Sequence, residues 1–407
     1  MKKQEARSNT VFPIFGNHEM DWTFKRTLEQ MSEKGAESGE CLWAAAQIDK
    51  RDMNTWIDTW ASLAKRVEAQ AEASLRGGHA VSARESFLRA SNYYRTAEYG
   101  CAPSHPYWDR LWQKSVDTFQ QAGALFDPPI QYVEIPFEGF KLPGYFWRPA
   151  NDDQKRPTLV MEGGNDSSGE EMVFACGFST VRRGYNFFTF EYPGHRGAVH
   201  LDARCVKRQD YEVPFAAAFD YLATLPGVDE RVAQAGFSFG GYVVNRVACY
   251  EKRVKALIPD SPVINMEVLS TRLFDRFPDW MPVWLRRPLL NGYMRRNPMM
   301  KALLAYSLYT WGCEGDLFEF VAKGYSRGMI LDKELANITC PVLGLVSDAE
   351  GELMLAQAKE FIGKVGAQDK TLKILSLATA GTDDHCQLDN FSRAGQIIFD
   401  WLDDYLK

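Results

Sequence analysis

The eight cysteines of this 407-residue chain stand at positions 41, 101, 176, 205, 249, 313, 340 and 386, and no two form a C-x-x-C pair. Scattered single thiols in a chain this long exclude a disulfide framework. They point to reduced, mostly buried cysteines of a cytoplasmic protein. His, Cys, Asp and Glu nowhere share metal-ligand spacing, so no metal is expected. No run of about 18 uninterrupted apolar residues is present to cross a membrane. Met1–Arg7 is basic but leads into no apolar stretch, so a signal peptide is not expected. Positive charge is in deficit, with 47 Lys and Arg against 53 Asp and Glu, a formal net charge of −6. That balance disfavours nucleic acid, whose phosphates need clustered cations. Neither G-x-x-x-x-G-K-[ST] nor G-x-G-x-x-G occurs, so Gly163-Gly164 is not a nucleotide loop and no cofactor is expected.

What remains is an ordinary globular composition, 45% hydrophobic and 25% charged. The length suggests two to three domains. An aromatic content of 13% can furnish a pocket lining as well as a core. The most informative stretch is Gly236-Phe237-Ser238-Phe239-Gly240, followed by Gly241. It fits G-x-S-x-G, a sharp strand-to-helix turn that lifts a serine hydroxyl clear of the backbone. Glycine is required at 236 and 240 because the turn brings neighbouring backbone too close for side chains. Arg231–Ala235 reads as the entering strand and Tyr242–Ala248 as the departing helix, a framing that a Gly-Ser surface loop would lack.

Residues 1–128 read as a helical domain. Trp56, Trp60, Leu63, Ala64, Val67 and Ala71 follow three-and-four spacing over 54–75, and Gly77-Gly78 ends that helix. Further helices are expected over 80–99 and 107–125. No 34-residue self-similarity supports a repeat array. Residues 129–262 and 326–407 read as one α/β core in two pieces. A hairpin turns at Glu138-Gly139, and buried strands follow at 158–162, 185–191, 231–235, 254–259, 342–346 and 372–375. Strands alternating with helices, mostly without period-two patterning, predict a parallel sheet covered on both faces. Ser167 with Glu170, or Ser168 with Glu171, forms a capping box that starts a helix.

A serine hydroxyl needs a base, and the base needs an orienting carboxylate. His385 is the only histidine after Ser238, and it falls between the last strand and the final helix, where a base belongs. Asp348, directly after the strand ending at Ser347, is the expected acid. Glu350 and Glu352 can substitute if the loop register differs, and Asp260 after the preceding strand is the runner-up. The structural alternative for Asp348 is a helix N-cap. The oxyanion hole is expected from the backbone N–H of Phe239 and one from Gly164 or Asn165. Asp383 and Asp384 read as a solvated turn.

Residues 263–325 form an insertion rich in large soft side chains, including Phe274, Phe277, Trp280, Trp284, Tyr306 and Trp311. A lid of this composition suits a broad apolar or aromatic substrate, with Trp280, Trp284, Tyr306 and Trp311 as its candidate contacts. Packing of the lid against the N-terminal helices would explain part of the same pattern.

Arg89–Arg95, Gly163–Ser167, Tyr192-Pro193-Gly194, the elbow, Cys340–Leu343 and Gly381–Asn390 together resemble one branch of the α/β-hydrolase superfamily. That branch holds FrsA-like esterases, dihydroxypseudooxynicotine hydrolase and the fungal pigment hydrolases that shorten polyketides. The likeness runs from about residue 55 to the end. It implies an α/β-hydrolase fold, a mostly parallel sheet with helices on both faces, carrying an all-helical N-terminal domain and a helical lid. One departure stands out. The family often has Asp-x-Pro-Gly-x-Gly after its fourth strand, whereas here Glu191 replaces the Asp and Arg196 precedes Gly197. The resemblance implies a serine hydrolase that acts on a small-molecule carbonyl substrate, by C–C cleavage beside a ketone or by ester hydrolysis. Thioester hydrolysis and acyl transfer or cyclisation use the same acyl-enzyme. A non-catalytic binding protein would predict loss of the serine, base or acid. No nucleic acid or membrane partner is expected, and a homodimer is the candidate assembly.

Overall fold

The computed structural model describes residues 13–271, 278 and 280–407. These fall into two compact units, with boundaries between Gln131 and Tyr132 and between Ala322 and Lys323. The described insertion residues from 278 to 322 belong with the N-terminal helices and not to a unit of their own.

The first unit contains helices His18–Glu29, Ser38–Ala45, Met53–Arg76, Ala80–Tyr99 and Trp108–Gly123, joined by Val283–Arg296, Pro298–Thr310 and Leu317–Lys323 from the insertion. The apolar stripe of Met53–Arg76 is fully buried, Trp56, Trp60, Leu63 and Val67 among it, as its spacing predicts. The Trp56 indole N–H donates to the Thr96 carbonyl at 2.8 Å, which gives a buried ring a polar partner. Trp108 meets Tyr309 edge-on, ring centroids 5.2 Å apart, so at least this aromatic of the insertion packs against the N-terminal helices. The two helices within 18–45 lie outside the helices expected from the sequence.

The second unit is built on an eight-stranded sheet. Its strands are β1 (Gln131–Phe137), β2 (Phe140–Trp147), β3 (Arg156–Glu162), β4 (Asn186–Phe190), β5 (Val228–Phe237), β6 (Val254–Asp260), β7 (Val342–Ser347) and β8 (Lys370–Leu375). Their spatial order is β1-β2-β4-β3-β5-β6-β7-β8. β2 pairs antiparallel with β4, and every pairing from β4 through β8 is parallel. Glu138 and Gly139 both have positive φ, 47° and 82°, the combination a two-residue hairpin turn between β1 and β2 demands. The central strands are apolar without alternation because helices cover both faces. Helix Phe239–Tyr250 is buried almost all round, as expected of a helix inside such a fold. In an open parallel sheet the carboxyl ends of the strands gather the loops that do chemistry. Here those ends deliver Gly163–Asn165 after β3, Glu191–His195 after β4, Ser238 after β5, Ser261 after β6 and Ser347–Glu350 after β7.

Candidate active site

Ser238 stands between β5 and helix Phe239–Tyr250 with φ 57° and ψ −116°, a conformation that non-glycine residues rarely hold. It is partly exposed while both neighbouring phenylalanines are buried. Close backbone approach keeps it there. A Cβ added at Gly236 would lie 2.7 Å from the Gly240 carbonyl carbon, and one at Gly240 would lie 2.6 Å from the Gly163 carbonyl oxygen. Both glycines are therefore steric requirements of the turn.

The loop that carries His385 is anchored to the same place. The Ser238 N–H donates to the Asp260 carbonyl at 2.6 Å, and the Cys386 thiol donates to that carbonyl at 3.2 Å. Gln387 adds a second anchor, its amide donating to Asp260 Oδ1 at 3.2 Å and to Ser347 Oγ at 3.1 Å. Asp384 accepts the His385 backbone N–H at 2.8 Å. Asp383 and Asp384 are both buried, not the solvated turn their sequence suggests, because the loop folds in against β6 and β7.

The carboxylate on His385 belongs to Glu350. His385 Nδ1 lies 2.5 Å from Glu350 Oε2, and Glu350 is buried while His385 is partly open. Ser261 Oγ donates to the same oxygen, and the Ser347 N–H donates to Oε1 at 2.9 Å. This corrects the expectation for Asp348, which is exposed, as is Glu352. The reason is local. Asp348–Glu350 is a single 3-10 turn closed by a capping box, in which Ser347 and Glu350 exchange side-chain-to-backbone bonds. Position N3 of that box folds inward over its cap, and position N1, Asp348, faces water. The signal was present as Ser347-x-x-Glu350. Asp260 is not the partner either. It is fully buried, its Oδ2 has no hydrogen-bond partner, and burial followed by the nearby Glu350 charge pushes its carboxyl well above the usual range.

The loop after β3 also reaches Ser238. A Cβ added at Gly164 would fall 2.9 Å from Ser238 Cβ and 3.4 Å from its Oγ, so this loop borders the hydroxyl. The Gly164 N–H donates to Ser167 Oγ at 3.0 Å, which occupies one of the two alternatives given for the second oxyanion donor. Ser168, not Ser167, caps the following helix by accepting the Glu171 N–H at 3.2 Å. Phe239 is the first residue of its helix, where N–H groups have no intrahelical acceptor. His195 Nε2 is 3.0 Å from the Gly164 carbonyl, and His195 Nδ1 is 3.3 Å from Glu191 Oε2. Glu191 also accepts the N–H groups of Gly169 and Gly197. Burial opposes its ionisation, but His195, Arg196 and the Gly197 N–H together hold its carboxyl below the usual range.

A family model described as FrsA-like esterase matches residues 28–317. The chain belongs to the FrsA-like esterase family. Among curated relatives, this FrsA-like chain is 31% identical over 349 residues to 20-hydroxy-prefusarin hydrolase FUS2 of Gibberella moniliformis, covering 81% of this chain and 82% of the relative. It is 29% identical over 391 residues to α/β hydrolase gkaG of Penicillium citrinum, covering 89% and 90%. Among solved structures, 2,6-dihydroxy-pseudo-oxynicotine hydrolase superposes with a TM-score of 0.72 at 22% identity, covering 93% of this chain and 95% of that one. The protein is thus an enzyme of the α/β-hydrolase fold.

Glu191, the departure noted after the fourth strand, spans three partners: Gly169, His195 and Gly197. Of the four lid residues expected to meet substrate, Trp280 and Trp284 are 78% and 75% exposed, whereas Tyr306 and Trp311 are buried in the first unit. Trp311 packs edge-on against Phe320 at 5.6 Å. Phe274 and Phe277 lie outside the described residues. The contributions of Ser261, Gln387 and His195 carry no sequence signal, because each depends on contacts between different strand ends.

Proposed function

We propose that this hydrolase works through Ser238 as nucleophile, His385 as base and Glu350 as the orienting acid, on a bulky aromatic or polyketide-like carbonyl substrate. The single observation that carries the reading is the 2.5 Å contact of His385 Nδ1 with buried Glu350, on a loop bound to the same carbonyl as the strained Ser238. The bond at Nδ1 leaves Nε2 as the nitrogen for the serine proton. Ser238 Oγ attacks the ketone carbon and its proton passes to His385 Nε2. The oxyanion forms against the N–H of Phe239 and that of Asn165. On collapse the C–C bond breaks and its electron pair leaves with the departing carbon, which takes the proton from His385. That departure requires a carbanion stabilised as an enol or by a hydroxylated aryl ring. Water, deprotonated by His385, then cleaves the Ser238 ester and releases the acid.

The substrate class is supported by a relative named for 20-hydroxy-prefusarin, a hydroxylated compound. Ester hydrolysis is the second reading, favoured by the family description. It uses the same acyl-enzyme with an alkoxide leaving group. The test is turnover of an ortho-hydroxyaryl β-diketone and a short aryl ester side by side, with Ser238→Ala as control and products identified by mass. Diketone cleavage that disappears in the variant is the expected result. Ester turnover alone would replace the C–C reading with the second one.

A further inference from the structure

Lys207 is a buried lysine, 7% exposed, in the segment between β4 and helix Glu212–Leu222. The reaction described above makes no use of it. Its backbone nests in the loop after β4, since a Cβ added at Gly194 would lie 2.5 Å from the Lys207 nitrogen and 2.7 Å from its Cα. Gly194, at φ +81°, donates its N–H to the Cys205 carbonyl at 2.7 Å and closes that nest. From there the side chain reaches two residues. Nζ donates to Asn165 Oδ1 at 2.5 Å and lies 5.2 Å from the centre of the Phe239 ring. Those two residues carry the N–H groups assigned to the oxyanion. A second buried side chain grips the same loop, because His195 Nε2 sits 3.0 Å from the Gly164 carbonyl. That carbonyl belongs to the peptide whose other end is the Asn165 N–H, and the two point oppositely across a trans peptide.

We propose that Lys207 is a positioning residue of the oxyanion hole, fixing Asn165 and Phe239 together and placing one cation behind both donors. The proposal rests on the assignment of Ser238 as nucleophile. A cation held in a dry site beside developing negative charge stabilises it far more than the same cation in water. Burial pulls the Lys207 ammonium down to about 7, against the opposing pull of Asp166 in the β3 loop. On its own segment, burial raises the Cys205 thiol to about 12 and the Tyr211 phenol well above its ordinary value, so both stay neutral there. The charge on Lys207 is accordingly present below about pH 7 and lost above it.

The experiment compares kcat and KM for a short aryl ester across pH 5.5–9 in the wild type, Lys207→Met, Lys207→Arg and Ser238→Ala, with melting temperatures as a check on folding. In the wild type kcat should decline as pH rises through about 7. Lys207→Met should lower kcat at pH 6 by about 10- to 100-fold with KM within about threefold, and should lose that decline. Lys207→Arg, which stays charged, should restore much of kcat and move the decline out of range. A wild-type profile without the decline, or a folded Lys207→Met with unchanged kcat and profile, overturns the proposal. Turnover surviving in Ser238→Ala would instead overturn the nucleophile assignment on which it rests.

Discussion

At Glu350 three donors converge on one buried carboxylate: Ser261 Oγ and His385 Nδ1 on Oε2, and the Ser347 N–H on Oε1. A carboxylate so held fixes both the tautomer and the plane of the imidazole, which is the acid's task in such a triad. Glu350→Gln keeps the shape but offers an amide to the ring. It should lower kcat by about 10³- to 10⁴-fold, while Asp348→Ala, at an exposed position, should stay within about twofold of wild type. Steady-state kinetics on an aryl ester checks both. The glycines of the elbow give a prediction of another kind. Gly236→Ala sets a methyl group against the backbone of Gly240, with no flexible side chain to yield, and should destabilise the fold by about 2 kcal/mol or more, measured by denaturant unfolding.

Among the elements, the 3-10 turn Asp348–Glu350 decides which carboxyl reaches His385. Its cap, Ser347, holds Glu350 through the capping box and also accepts a hydrogen bond from Gln387 of the base loop. Ser347→Ala should cost about 1 kcal/mol of stability and reduce kcat by up to about 100-fold through misplacement of Glu350, with Asp348→Ala showing neither loss. This turn also marks where sequence reading stops. Long periodic elements are legible: the Trp56–Ala71 stripe, the strand-turn-helix around Ser238, and the parallel strands each follow from a pattern many residues long. His385 is legible because it alone follows the serine. The choice between Asp348 and Glu350 is not, since two residues shift a side chain from water to core and only the capping box distinguishes them. Nor does pattern reveal that the 278–322 helices join the N-terminal helices, because an apolar face does not name its partner.

At the scale of the whole molecule, burial raises the carboxyls of Glu162 and Asp260 with no cation among the influences on either, and their effect on stability depends on pH. Glu162, at the end of β3, is fully buried with neither oxygen hydrogen-bonded. Burial, then the charge of Glu191, pushes its carboxyl well above the usual range. A group raised in the fold adds stability below its unfolded pKa and loses it as pH rises through the folded value. Above the ordinary carboxylate range the folded chain therefore binds this proton more tightly than the unfolded chain does. Glu162→Gln removes this cost, so its melting temperature should exceed that of wild type at pH 7 and the gap should close toward pH 4. A constant gap would mean that the side chain acts through packing alone.

The central claim is that Ser238 carries the acyl group and that Glu350, acting through His385, drives its formation. Rapid-quench mass spectrometry of the protein mixed with an activated aryl ester tests it most directly. The account predicts one acyl group on the peptide containing Ser238 in wild type and Asp348→Ala, formed at comparable rates, and acylation slowed by about 10³-fold or more in Glu350→Gln. Fast acylation of Glu350→Gln together with a silent Asp348→Ala, or an adduct on any other residue, would contradict it.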